Sequence, residues 1–293
     1  MSDTFCSVEL GSARRFGDAV AAAAAALAGT SDSPRLDAEL LLAHALPAPR
    51  SAVIAFPERP VGAEAARRFA ALVARRAAGE PLAYLVGRKE FRSLVLEVGP
   101  AVLVPRPETE HLVDAALERL DGTASPAVLD LGTGSGAIAL AVKSERPDAE
   151  VVAVDASRDA LAVARANGAR LGLDVEWLHS DWFAGLGDRA FDAILCNPPY
   201  VESADPRLGA LAHEPRSALD GGPDGLDAIR AVLREAPARL RPRGALIVEH
   251  GSDQQARVIA LAVAAGLHPA EAGRDLAGRD RYVVLIRPDA GGA

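Results

Sequence analysis

Asn197-Pro198-Pro199-Tyr200 is the stretch of this sequence whose residue types most constrain a chemistry. It follows Phe191 to Cys196, an apolar run that reads as a buried strand. Proline fixes φ at about −65° and disfavours the helical region for the residue before it, so Asn197 and Pro198 are both held extended. Neither proline has an N–H to compete for nearby carbonyls. The segment therefore presents two acceptors, the side-chain carbonyl of Asn197 and the backbone carbonyl of Pro198, and Tyr200 can form an aromatic wall beside them. Two acceptors suit an –NH2 group. The nitrogen of an amide or an aromatic amine is a poor nucleophile because its lone pair is delocalised. Accepting both of its N–H bonds holds it in line with an electrophile and favours the electron-richer nitrogen of the transition state. Each bond contributes about 1 kcal/mol net, and orientation contributes more, on the order of 7–11 kcal/mol. No strong base is needed, because the proton becomes acidic once nitrogen has been alkylated. A plain proline turn leaving a strand is the competing reading.

A second constellation precedes it. Val128-Leu129-Asp130-Leu131 runs into Gly132-Thr133-Gly134-Ser135-Gly136, and a helix follows. Ligands of open α/β sheets bind beyond the carboxyl ends of the strands, and glycines there allow a tight turn and close approach to the backbone. The next strand ends at Asp155, 19 residues after Gly136, where an acid can accept hydrogen bonds from a ribose diol. Ser180-Asp181-Trp182 follows the third strand, and an indole there can stack on an adenine. A methyl-donor site fits this set, with a nearby aromatic ring adding roughly 0.5–2 kcal/mol toward a sulfonium. So does a nicotinamide or flavin site, because Gly132-x-Gly134-x-x-Ala137 satisfies the dinucleotide fingerprint. A glycine turn serving only the strand-to-helix corner, and a core Trp182, are the bland alternatives.

These residues need a parallel sheet to bring them together. From Ala127 onward short apolar runs (Ala127–Leu131, Val151–Asp155, Val175–His179, Phe191–Cys196, Ala245–Glu249, Tyr282–Ile286) alternate with helical stretches at 137–145, 158–171, 226–240 and 254–264. That pattern predicts a mainly parallel sheet with helices on both faces. Residues 1 to about 85 read as helices: an alanine-rich one from Asp18 to Ala28, a second opened by Ser33 as cap with Pro34 at its first position, and a third from Glu64 to Ala78. Between the two regions, alternation through Phe91, Leu94, Leu96 and Val98 predicts a strand, Gly99-Pro100 a turn, and Ala101–Val104 a second strand. Pro105 to Glu110 opens a helix running to about Leu120, and these residues either line the methyl-donor pocket or serve as a plain opening turn.

The bulk numbers exclude several classes. The chain has 293 residues, 49% of them hydrophobic and 25% charged, enough for one large and one small folded domain. A net charge of −8 argues against a protein that grips a nucleic-acid backbone over a broad face. The two cysteines, Cys6 and Cys196, form no CxxC pair, and no His/Cys cluster has ligand spacing, so no metal is expected and a reducing cytoplasm is the simple inference. The apolar run from Ala19 to Ala28 is too short to cross a bilayer, which takes roughly 20 residues. No coiled-coil or long exposed apolar segment appears, which points to a monomer.

Taken together, Gly79-Glu80-Pro81-Leu82-Ala83-Tyr84, Val104-Pro105-Arg106-Pro107-Glu108-Thr109-Glu110, Asp130 to Ala139, Ala153-Val154-Asp155, Ser180 to Phe183, Asn197 to Tyr200, Glu214 to Gly222 and Glu249-His250-Gly251 resemble the HemK/PrmC family of peptide-chain release-factor glutamine N5-methyltransferases. Asn-Pro-Pro-Tyr by itself is shared with enzymes that methylate adenine or cytosine in nucleic acid, and that remains the alternative. The resemblance implies an α/β fold: a class I, Rossmann-like, seven-stranded methyltransferase domain over residues 105–293, preceded by a helical substrate-recognition domain over 1–88 and a β-hairpin linker over 89–104. It implies S-adenosylmethionine as cofactor, held by Gly132, Thr133, Gly134, Ser135, Gly136, Asp155, Trp182 and Asn197. Asn197, Pro198, Pro199 and Tyr200 would hold the glutamine of a Gly-Gly-Gln loop in a release factor, with Asn197, Pro198 and Tyr200 at the reacting centre. The segment from Asp205 to Glu214 departs from the family pattern in being shorter.

Overall fold

The structure is a computed structural model and describes residues 15–289. Cys6 lies outside the described residues. The chain divides into two compact units, one ending at Arg88 and the other beginning at Lys89.

The first unit is helical: α1 (Phe16–Leu27), α2 (Pro34–Ala45), α3 (Arg50–Ala55), α4 (Ala63–Ala77) and α5 (Leu82–Val86). Apolar residues at helical spacing meet in one core of Leu27, Leu41, Leu42, Phe69, Val73 and Leu85. Ser33 stands at the N-cap position as expected, but its side chain makes no capping bond. Ser31 takes over the local polar work: its hydroxyl donates to Asp37 Oδ2 at 2.7 Å and accepts the N–H of Ser33 at 3.0 Å. Pro34 at the first helical position needs no partner, having no N–H.

The second unit opens in a two-stranded hairpin, β1 (Arg88–Phe91) and β2 (Leu94–Glu97), whose first residue is the last of the first unit. Its turn is Arg92-Ser93, with φ of 45° and 64°, and not Gly99-Pro100. Positive φ at both central residues matches the right-handed twist of the flanking strands. Neither residue is Gly, Asn or Asp, so the composition gives no signal for it. Arg92 is held there by Glu145 and Asp114, at 2.5 and 2.6 Å. Ala101–Val104 is consequently no strand: the chain turns at Gly99, whose carbonyl accepts the N–H of Val102 at 3.1 Å, and runs on irregularly. Phe91 and Leu96 are buried in the core of the second unit.

Seven strands follow: β3 (Ala127–Leu131), β4 (Glu150–Asp155), β5 (Glu176–His179), β6 (Phe191–Cys196), β7 (Leu240–Glu249), β8 (His268–Arg274) and β9 (Asp280–Ile286). They lie in the order β5-β4-β3-β6-β7-β9-β8, parallel except for β9, which is antiparallel to both its neighbours. The helices are α6 (Glu110–Arg119, entered through a 3-10 turn at Pro107–Thr109), α7 (Ala137–Glu145), α8 (Arg158–Leu171), the short α9 (Arg207–Ala210), α10 (Asp227–Arg239) and α11 (Gln255–Ala264). Successive side chains of each central strand enter different cores. Val128, Leu195 and Ile247 pack with Leu112 and Leu140, whereas Leu129, Ile194 and Leu246 pack with Ile229, Leu233 and Val258. A sheet covered on both faces explains why these strands read as nearly continuous apolar runs. The strand without a sequence signal is β8, whose residues His-Pro-Ala-Glu-Ala-Gly-Arg are mostly exposed at the sheet edge.

Candidate active site

Chain order reverses between β3 and β6, the topological switch point at which open α/β sheets bind ligands. The two strands are hydrogen-bonded neighbours with Leu131 opposite Cys196. The next residue on one is Gly132 and on the other Asn197, so the glycine loop and Asn-Pro-Pro-Tyr leave the sheet side by side.

A cavity of about 320 Å³ opens there, lined by Gly132, Gly134, Asp155, Trp182, Asn197 and Pro199 among others. Gly132 and Gly134 have φ of 71° and 57°, which residues with a Cβ adopt only with strain. Thr133, Ser135 and Gly136 do not line the cavity. They brace the loop. Thr133 Oγ1 donates to Asp130 Oδ2 at 2.6 Å, and the Ser135 carbonyl accepts Asn167 Nδ2 at 3.0 Å. Gly136, at φ 85°, admits Leu140 and Trp177 where a Cβ would lie 3.0 Å from both. Asp155 accepts the Gly134 N–H on Oδ2 and the Ser157 N–H on Oδ1, at 2.9 and 2.8 Å. A carboxylate has about four acceptor sites, so both oxygens can still take a ligand hydroxyl. Trp182 sits at φ 46°, a strained conformation for a bulky residue. Ser180 holds it: its hydroxyl donates to the Trp182 carbonyl at 2.9 Å and accepts the Gly185 N–H at 2.8 Å.

A second cavity of about 150 Å³ is lined by Asn197, Pro198 and Tyr200 together with Arg106, Arg207 and Arg281. Each arginine is paired: Arg106 with Glu214, Arg207 with Asp205 at 2.6 Å, Arg281 with Asp275 at 2.9 Å. Glu214 also accepts the Val104 N–H at 2.9 Å, so the segment from 205 to 214 is tied to the Pro105 stretch. Asn197 lines both cavities, with Leu103 and Ala218 the apolar residues that do the same.

Behind Asn197 lies a buried polar chain. Asn197 Nδ2 donates to Thr109 Oγ1 at 2.9 Å, Thr109 donates to Glu249 Oε2 at 2.7 Å, and the Tyr200 hydroxyl donates to Glu249 Oε1 at 3.1 Å. Asn197 Oδ1 takes no part in this chain. Glu249 is 1% exposed. Burial pushes its carboxyl up to about 7, against the bonds from Thr109 and Tyr200, which pull it down. Burial and the neighbouring Glu249 raise the Tyr200 phenol. Asp130 is likewise pushed up to about 7 by burial, despite bonds from Thr133 and Ala139. Burial raises the Cys196 thiol well above its ordinary value, and the residue is fully buried in β6, as a core position requires.

Sequence reasoning did not single out Thr109 and Glu249. Glu249 had a signal: an acid ending a buried parallel strand at the edge where ligands bind. Thr109 had only its place in the Pro105–Glu110 stretch, which forms the opening turn of α6; none of its residues lines the larger cavity, and Arg106 lines the smaller one. Among the described residues no group of His, Cys, Asp and Glu could hold a metal, and no helix is long and apolar enough to cross a membrane.

Residues 18–87 match the PrmC N-terminal domain, and residues 111–214 match the methyltransferase small domain. A release factor glutamine methyltransferase of Burkholderia pseudomallei is 49% identical over 269 residues, covering 89% of this chain and 94% of its own. One of Pseudomonas aeruginosa is 50% identical over 257 residues, covering 87% and 93%. Among solved structures, the 16S rRNA N2 G1207 methyltransferase of Thermus thermophilus, in complex with AdoMet and guanosine, superposes with a TM-score of 0.51 at 24% identity, over 69% of this chain and 49% of that one. At that identity the likeness speaks for the fold.

Proposed function

Because this chain belongs to the release factor glutamine methyltransferases, we propose that it moves a methyl group from S-adenosylmethionine to the side-chain amide nitrogen of the glutamine in a release factor's Gly-Gly-Gln loop. One observation carries the reading: Asn197, its Nδ2 already committed to Thr109, is the polar residue common to both cavities. An acceptor at that junction is where the donor and the nucleophile must meet.

The larger cavity fits the cofactor by the chemistry of its walls. Asp155 offers acceptors for a ribose diol, Trp182 an aromatic face for adenine, and Gly132 and Gly134 a floor without side chains. When bound, S-adenosylmethionine supplies a methyl group made electrophilic by its sulfonium. The chain's own residues supply position. Asn197 Oδ1 and the Pro198 carbonyl accept the two N–H bonds of the glutamine amide, and the prolines keep those acceptors from swinging away. Preset alignment of this kind is worth on the order of 7–11 kcal/mol of barrier. The proton leaves a nitrogen already acidified by methylation, so the site requires no strong base. The arginines of the smaller cavity suit main-chain carbonyls beside the glutamine, which glycine neighbours leave uncovered.

The test is incubation of the enzyme with isotope-labelled S-adenosylmethionine and a release factor, followed by mass spectrometry. One methyl on the Gly-Gly-Gln glutamine, absent when that residue is alanine, is the expected result. Label in adenine or cytosine of added DNA, with none in the release factor, would overturn the reading.

A further inference from the structure

We infer that Thr109 and Glu249 are positioning residues that fix which end of the Asn197 amide faces the glutamine, and that the ionised form of Glu249 is the one that holds it correctly. The inference rests on the function proposed above and concerns residues two and three steps removed from the reacting atoms.

The argument is one of hydrogen-bond polarity. An ionised carboxylate only accepts, a hydroxyl has one hydrogen to give, and an amide has a donor end and an acceptor end. Glu249 Oε2 takes the single hydrogen of Thr109 at 2.7 Å. Thr109 Oγ1 is thereby left with lone pairs alone toward Asn197, and it can be satisfied only by Nδ2, the partner found at 2.9 Å. The Oδ1 end is therefore the one left over for the ligand. Reversed, Asn197 would point N–H groups at the –NH2 of the substrate, two donors facing each other. Nothing local to Asn197 decides between the two orientations, since its ends are nearly the same in shape. The decision is made at Glu249 and transmitted through Thr109.

A neutral Glu249 would undo it. Protonated at Oε2, the acid donates to Thr109, whose hydrogen then turns toward Asn197 and draws Oδ1 instead. Such protonation lies within ordinary conditions, because burial holds the group at about 7. The groups that face Glu249 are few. Thr109 and Tyr200 donate to it, Arg281 on β9 favours the charged form, and Glu108 beside Thr109 opposes it. Cys196 on β6 feels its charge but stays a thiol, and His250, next in the chain, is pushed by burial toward the neutral form.

The sequence contains two asparagines, Asn167 and Asn197, which gives a direct test on the whole enzyme without substrate. With 15N-asparagine incorporated, the side-chain –NH2 signals of Asn197 should shift on titration through about pH 7. Those of Asn167, bonded to the Glu97 and Ser135 carbonyls, should stay still. In Glu249→Gln the Asn197 signals should no longer move. Asn197 signals that are constant in the parent enzyme, or that titrate equally in Glu249→Gln, overturn the inference.

Kinetics give the second readout. In the parent enzyme kcat should fall about tenfold per pH unit below about 7, whereas Glu249→Gln should be flat there. Thr109→Val should lower kcat about 10- to 100-fold, the range expected for a mis-set reacting geometry, with cofactor affinity unchanged. Thr109→Ser, which restores the hydroxyl, should recover to within about threefold of the parent on the same reasoning. Thr109→Val within about twofold of the parent, or Thr109→Ser as slow as Thr109→Val, refutes the role. If the parent enzyme methylates no release factor, the proposed function fails, and the titration of Asn197 still decides this inference separately.

Discussion

Replacing Gly221 by alanine isolates the part that backbone packing plays in holding Asn-Pro-Pro-Tyr. Gly221 touches no ligand cavity, yet its backbone runs against that of Pro199 and Tyr200. Its N–H donates to the Val201 carbonyl at 2.8 Å, and its own carbonyl accepts the Asp227 N–H at 2.9 Å, so it is tied on both sides. A Cβ there would lie 2.7 Å from the Pro199 carbonyl oxygen and 2.8 Å from both the Gly225 oxygen and the Tyr200 Cα. Ordinary contact begins at about 3.4 Å, so backbone must retreat by roughly 0.7 Å (3.4 − 2.7), and no flexible side-chain end is present to absorb it. Gly221 is not at positive φ, so alanine brings a clash without dihedral strain. Overpacking of this kind costs about 1–3 kcal/mol of stability. A displacement approaching 1 Å beside reacting groups costs up to about 100-fold in rate, so we expect kcat to fall by about 10- to 50-fold. Gly122→Ala is the control. It sits at φ 74° with nothing within 4 Å of a new Cβ, in the turn after α6, and should lose about 1–2 kcal/mol of stability with kcat intact. The assay is steady-state methyl transfer to a release factor, with urea unfolding for stability. A Gly221→Ala enzyme with kcat within about twofold of the parent would refute the claim that this backbone contact sets the acceptor geometry.

Three further outcomes follow from the geometry. Ser180→Ala removes the bond that holds Trp182 at φ 46° and should weaken S-adenosylmethionine binding about 5- to 30-fold by calorimetry, with kcat at saturation little changed. Gly136→Ala combines φ 85° with contacts of 3.0 Å to Leu140 and Trp177, and should cost more than about 2 kcal/mol in urea unfolding. Asp130 and Glu249 both hold their protons more tightly folded, at about 7, than unfolded, at 3.8 and 4.5. Their contribution is therefore most favourable below the unfolded values and is lost as pH rises to about 7. Glu249→Gln should flatten that fall in stability, and a slope identical to the parent's would contradict the buried charge assignment.

The central sheet was legible because it is buried on both faces, so β3, β4, β6 and the Ala245–Val248 stretch of β7 had to be largely apolar. The glycine loop and Asn197 to Tyr200 were legible because their residue types impose a conformation on their own. The edge strand β8 escaped notice because exposure removes the apolar alternation that marks a strand. The hairpin turn was misplaced because Arg92 and Ser93 are held at positive φ by tertiary partners of Arg92, on α6 and α7, and not by their own preference.

Sequence by itself therefore determined which groups the proposed site draws on: acceptors at Asn197 and Pro198, a side-chain-free floor at Gly132 and Gly134, and an acid at Asp155. Dihedral restriction and the lack of a Cβ are properties of single residues and their neighbours in the chain. Only the tertiary structure decided what the Asn197 amide is bonded to. Thr109 lies 88 residues from Asn197 in the chain and 140 from Glu249, and it meets both because β6 and β7 are neighbours in the sheet and the turn before α6 packs over their ends. The direction of a hydrogen bond depends on what the partner's partner accepts, and no local pattern carries that information.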